Sequence, residues 1–75
     1  MSTQLRLIRE SINPRVSVEE LTKRSTITMN TVYKAENGKR ITYASAQEIL
    51  RALNELLVER GLEAVSLEQL GLNLY

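Results

Sequence analysis

The chain has no cysteine and no histidine. Disulfide staples are therefore excluded, together with the usual zinc-ligand sets, a thiol or imidazole nucleophile and the commonest general base. No apolar run approaches the ~18 residues of a membrane-spanning helix, so no transmembrane segment is expected. Met1-Ser2-Thr3-Gln4 leads into no long apolar core, which reads as the absence of a signal peptide and implies a cytoplasmic protein. Seventy-five residues make a single domain, 1–75. A chain of this size buries only about 60% of its unfolded surface, so its core must be compact. Without staples, pairing with a second copy is a common support.

The net charge of +1 says little, but its distribution says more. Residues 1–40 hold eight Lys or Arg against four Glu, a balance of +4, whereas residues 41–75 hold two Arg against five Glu, a balance of −3. A basic half fits a polyanion and fits an ordinary fluctuation of surface charge about equally well.

The few helix breakers divide the chain into an all-α bundle of four to five short helices. Leu5, Ile8 and Ile12 share one face of a first helix, which Asn13-Pro14 should stop, because the residue before proline disfavours the helical region. Ser17 and Glu20 form a capping box with Val16 and Leu21 as its hydrophobic staple, placing a second helix at about 18–24. Thr28 is the expected N-cap of a third helix at 29–37, with Ile27 and Val32 as staple and Gly38 as the residue that turns left-handed past its end. Apolar residues at 46, 49, 50, 53, 56 and 57 draw a broad stripe along a fourth helix at about 43–60, starting anywhere from Thr42 to Ser45. Gly61 ends it. Ser66 and Gln69 repeat the capping logic for one short terminal turn, with Val65 and Leu70 as staple. The helical core is expected at 4–60 and an apolar tail at 62–75.

Two short helices joined by about four residues suggest a helix-turn-helix. The stretch Ser17-Val18-Glu19-Glu20-Leu21, then Ile27-Thr28, then Thr31-Val32-Tyr33-Lys34-Ala35-Glu36-Asn37-Gly38-Lys39-Arg40 resembles the phage repressor and Cro group, the xenobiotic-response-element family of bacterial regulators. That family's pattern reads roughly S-Q-E-E-L-A, three variable residues, G-V-S, then T-I-S-x-I-E-x-G-K-R. The register needs no gap from Ser17 to Arg40, and with the flanking helices the resemblance covers about residues 4–57. It implies a lambda-repressor-like fold. The chain departs from the pattern at Thr22, where the family has a small alanine; at Ser25, where it has an apolar residue; and at Thr26, where it has the turn glycine. A β-branched residue is strained at positive φ, so the turn is either strained or closed differently. The first loop, 12–16, is two residues longer than usual.

The residues support the same reading unaided. Leu21, Ile27, Val32 and Ala35 fall where two crossed helices must touch, and Ala35 is small enough for close approach. The other side of the third helix shows Asn30, Tyr33, Lys34 and Asn37, polar groups with no core to serve. Asparagine pairs bidentately with adenine, lysine donates to guanine O6 and N7, and threonine meets phosphate or a thymine methyl. The expected base-reading set is Met29, Asn30, Tyr33 and Lys34, with Met29 equally suited to filling the core beneath the helix. Tyr33 is as well suited to packing on Lys34 or the domain surface as to meeting phosphate. The expected phosphate set is Ser17, Thr28, Thr31, Asn37, Lys39 and Arg40, the last two placed where the family meets the DNA backbone. Glu36 has no catalytic partner and is assigned a structural role near helix ends.

Sequence-specific binding of duplex DNA follows, by a Cro-like or antitoxin-like transcriptional regulator that is not an enzyme and uses no cofactor or metal. It is expected to act as a homodimer on a two-fold related site. Leu67, Leu70, Leu72, Leu74 and Tyr75 are the expected dimer contacts, with packing on their own chain nearly as favoured. A protein-interaction module, using the apolar tail and the acidic fourth helix to hold a protein partner, is the alternative.

Overall fold

The computed structural model describes residues 3–75, which form five helices and no strand: α1 (Gln4–Ser11), α2 (Val18–Lys23), α3 (Met29–Glu36), α4 (Tyr43–Glu59) and α5 (Leu67–Leu70). The all-α expectation therefore holds among the described residues. Helix boundaries fall within a residue or two of those anticipated, for the reasons anticipated. Ser17 Oγ accepts from the Glu20 amide at 3.0 Å, Thr28 Oγ1 from the Thr31 amide at 3.4 Å, and Ser66 and Gln69 make a complete capping box. At α4 the cap is Thr42, whose Oγ1 accepts from the Ser45 amide at 3.2 Å, so the earliest of the expected starts is the one used. The box at α2 is only half made: the Glu20 carboxylate turns toward Arg60, 3.5 Å away.

The core follows the helical periodicities. Leu5, Leu21, Val32, Ala35, Ala46, Ile49, Leu53, Leu56 and Leu70 are buried in one cluster, with Ile27 and Leu50 packed half-exposed against it. Full burial of each large aliphatic side chain is worth about 1.5–3 kcal/mol relative to exposure. Helix α4 lies behind α2 and α3, and α5 packs on α1 and α4.

Two polar devices reinforce this packing. Arg9 of α1 and Glu36 of α3 are both buried and form a two-pronged ion pair, Nε to Oε2 at 2.7 Å and Nη2 to Oε1 at 3.3 Å, while Arg9 Nη1 donates to the Val16 carbonyl at 3.0 Å. Asn54 of α4 binds the backbone of Val65 with both ends of its amide: Nδ2 donates to the Val65 carbonyl at 3.0 Å, and Oδ1 accepts from the Val65 amide at 2.8 Å.

The tail packs on its own chain. Leu70 is fully buried, and Leu67, Leu72 and Leu74 lie against the same core. The own-chain packing that the sequence offered as the near-equal alternative to a dimer face is present in the single chain: Leu70 has no surface left for a partner, and Leu67, Leu72 and Leu74 keep only part of theirs. Of the five residues so assigned, only Tyr75 stands clear, at 82% exposed.

Candidate functional site

The connection at 24–28 between α2 and α3 closes without strain. No described residue other than glycine has positive φ, so Thr26 avoids the conformation that a glycine would serve. Its backbone amide and its hydroxyl both donate to Glu48 Oε1 of α4, each at 3.3 Å. Glu48 in turn accepts from Arg51, and these bonds hold its carboxyl down at about 2, with the Arg51 hydrogen bond the largest cause and the Thr26 amide contributing. The turn is thus tied to the scaffold through a side chain where the family pattern relies on a glycine.

Helix α3 presents two unlike faces. Val32, Ala35 and Glu36 point inward and are buried. At 100° per residue, Asn30, Lys34 and Asn37 cluster on the opposite side, Tyr33 and Thr31 mark its two edges, and Met29 sits in the exposed first turn. Asn30, Lys34 and Asn37 are all exposed, and among the described residues their side chains make no hydrogen bond or ion pair. Met29 and Tyr33 are 42% and 45% exposed, so neither is core.

Past the helix, Gly38 at φ +79° completes a Schellman motif. The Gly38 amide donates to the Ala35 carbonyl at 3.2 Å, and the Lys39 amide to the Lys34 carbonyl at 2.9 Å. The chain therefore turns sharply and leaves Lys39 and Arg40 exposed directly beyond α3.

A shallow depression of about 210 Å³ gathers Thr31, Lys34 and Arg40 with Ile41, Thr42, Ser45 and Tyr75. A neighbouring one of about 310 Å³ is lined by Thr26, Ile27, Thr28, Thr31, Ala44, Ser45 and Glu48. Thr31 and Ser45 belong to both, so the two hollows run together along the seam between α3 and the start of α4. No family model, curated protein or solved structure matches the chain.

Of the residues expected to meet phosphate, Thr28, Thr31 and Arg40 thus line this seam, joined there by Lys34 of the base-reading set, and Asn37 and Lys39 are exposed beside it in the chain. Ser17 is apart: it is half-buried at the head of α2, its hydroxyl engaged as a cap, and it lines neither hollow. The seam also recruits Thr42, Ser45 and Tyr75, which the sequence reading did not place there. The Thr42 cap was the available hint for the first two; nothing local marks Tyr75.

Electrostatics separate the surfaces further. On α4, Glu48, Glu55 and Glu59 pair with Arg51 and Arg24. Hydrogen bonding from Arg24 lowers the Glu59 carboxyl, and the same bond raises Arg24. The three glutamates of α4 are thus each paired in place, whereas Lys34, Lys39 and Arg40 have no carboxylate within ion-pair distance among the described residues. This leaves unpaired cations and amides around α3, beside cap hydroxyls already bonded to one another, a surface suited to hydrogen bonding with an extended polyanion.

Proposed function

We propose that the chain binds duplex DNA sequence-specifically, with α2 and α3 acting as a helix-turn-helix of the phage repressor and Cro kind and α3 entering the major groove. One observation carries the reading: Asn30, Lys34 and Asn37 form an exposed polar face on a helix whose other side is fully engaged in the core. In this role Asn30 and Lys34 read base edges, with Met29 and Tyr33 flanking them. Thr28, Thr31, Asn37, Lys39 and Arg40 meet the phosphates and set the register. Glu36, locked to Arg9, holds α3 and does no chemistry.

A regulator of this kind works as a homodimer in which each copy reads one half-site about one helical turn from the other. The alternative of a protein-interaction module is less supported, because the apolar tail is packed on its own chain and the glutamates of α4 are paired with arginines.

Selection from a random duplex library tests the proposal. Enrichment of a two-fold symmetric sequence supports it. Failure to enrich any sequence, together with binding that does not weaken as salt rises, overturns it, since phosphate contacts release counterions and must be salt-sensitive.

A further inference from the structure

The segment after α5 returns to the basic loop. The Ile41 amide donates to the Asn73 carbonyl at 3.0 Å, and the Tyr75 amide donates to the Ile41 carbonyl at 3.1 Å, so Ile41 and Leu74 pair as a parallel bridge. Asn73 Nδ2 adds a bond to the Gly38 carbonyl at 3.2 Å. The Ile41 side chain is itself buried, so this residue is held on every side: side chain in the core, both backbone polar groups on the tail. At the other end of the loop, Gly38 and Lys39 are fixed to α3 by the Schellman motif. Between the two anchors only the side chains of Lys39 and Arg40 project. Tyr75 emerges from the same pairing and lines the depression that holds Lys34 and Arg40.

We propose that residues 73–75 are a positioning strap for the DNA-binding surface, holding the Lys39–Arg40 loop in fixed register with α3 and setting Tyr75 beside Lys34 and Arg40 as an added contact to the phosphate backbone. This rests on the DNA-binding reading. Its physical basis is preorganisation: a loop already fixed gives up less conformational freedom on contact than one that must be ordered by the ligand. Tyr75 suits the position, because a phenol donates a hydrogen bond to a phosphate oxygen and a ring carries little rotamer freedom to lose. The strap also gives the exposed Tyr75 a role other than the dimer contact expected from the sequence.

The test compares Tyr75→Ala, which removes the ring and keeps the backbone N–H, with Tyr75→Pro, which removes both the ring and the donor to Ile41. Asn73→Ala, which loses only the bond to Gly38, serves as a third and milder variant should Tyr75→Pro fail to fold. Binding to a labelled random-sequence duplex is followed by anisotropy at several salt concentrations. Amide exchange at Ile41 and sedimentation are measured on the same samples.

Tyr75→Ala should bind about threefold more weakly with Ile41 still protected, and Tyr75→Pro about tenfold or more weakly with Ile41 exchanging freely, the order of one charged hydrogen bond. Asn73→Ala should fall between the wild type and Tyr75→Pro in both readouts. Wild-type affinity in Tyr75→Pro, or in Asn73→Ala where that is the variant that folds, overturns the strap while leaving the DNA-binding reading intact. A Tyr75→Ala chain that turns from dimer to monomer with unchanged affinity per protomer overturns it in favour of a partner contact. A wild-type chain that binds no duplex at any salt overturns the DNA reading itself, and the strap with it.

Discussion

Replacing Glu36 by glutamine keeps the shape of the side chain and one acceptor oxygen but removes its charge. The Arg9 guanidinium, with its residue only 8% exposed, then stays buried with the Val16 carbonyl and a neutral amide as company. Breaking one side of a buried ion pair costs about 3–5 kcal/mol, because the remaining charge is stranded away from water. At ~0.05–0.15 kcal/mol per residue, a domain of this length has about 4–11 kcal/mol in all, so Glu36→Gln should remove about a quarter or more of its stability. Replacing both partners, Arg9→Met with Glu36→Leu, should recover most of that. The pair's own desolvation is relieved, and the chief residual cost is about 1–3 kcal/mol for the Val16 carbonyl left without its donor. Urea denaturation of the wild type, Arg9→Met, Glu36→Leu and the double variant, with Glu36→Gln alongside and followed by circular dichroism, completes the cycle. A loss below about 1 kcal/mol in Glu36→Gln would refute the reasoning, since it would mean that water reaches the guanidinium in solution.

Three further outcomes are expected. Asn30→Ala should lose about 1–3 kcal/mol at the selected DNA site and relax preference at one base pair, measured by competition among single-base variants; unchanged preference would remove Asn30 from the reading set. Joint replacement of Lys39 and Arg40 by alanine should weaken binding to all sequences alike and flatten the log–log salt slope by about one unit per lost phosphate contact; an unaltered slope would place the loop away from DNA. Because the Glu48 carboxyl is held at about 2 when folded against an ordinary 4.5, its contribution is complete above 4.5 and fades as pH falls toward 2. Glu48→Gln should therefore soften the acid side of the stability profile and leave its shape at neutral pH unchanged; an identical acid limb would show that the bonds to Arg51 and Thr26 are not populated.

What the sequence made legible was what depends on neighbours within a turn or two. The caps at Ser17, Thr28 and Ser66, the apolar stripe of α4 and the outward polar face of α3 all follow from spacings of three and four residues. What it concealed depends on partners far along the chain. Arg9 and Glu36 are 27 residues apart, yet each carried a sign: Arg9 lies four residues from Leu5 and Glu36 four from Val32, so each puts a charge on an apolar stripe. Asn54 gave the same kind of sign between Leu53 and Leu57, but nothing in the sequence says that its partner is the backbone of Val65. Thr26 was ambiguous for a similar reason. Its departure from the family pattern left strain or a differently closed turn open; the turn closes differently, and its tie is Glu48, 22 residues away. The tail left two readings open, because a run of leucines looks the same whether it covers its own core or a partner's.

Thr3 meets the end of α3 from one direction, its amide donating to the Glu36 carbonyl and its hydroxyl to the Ala35 carbonyl, while Asn73 reaches Gly38 from the other. The C-terminal end of α3 is therefore a keystone set from both sides by segments seventy positions apart in the chain. A nascent chain can form α2, α3 and most of α4 from local contacts, but the shape of the basic loop is completed only when residue 73 has been made and docked. Each of these contacts closes a span of 32 or 35 residues, which is slow compared with local helix formation. The surface proposed to meet DNA should accordingly be the last part of the fold to acquire its final form, and the first to open when either distant segment lets go.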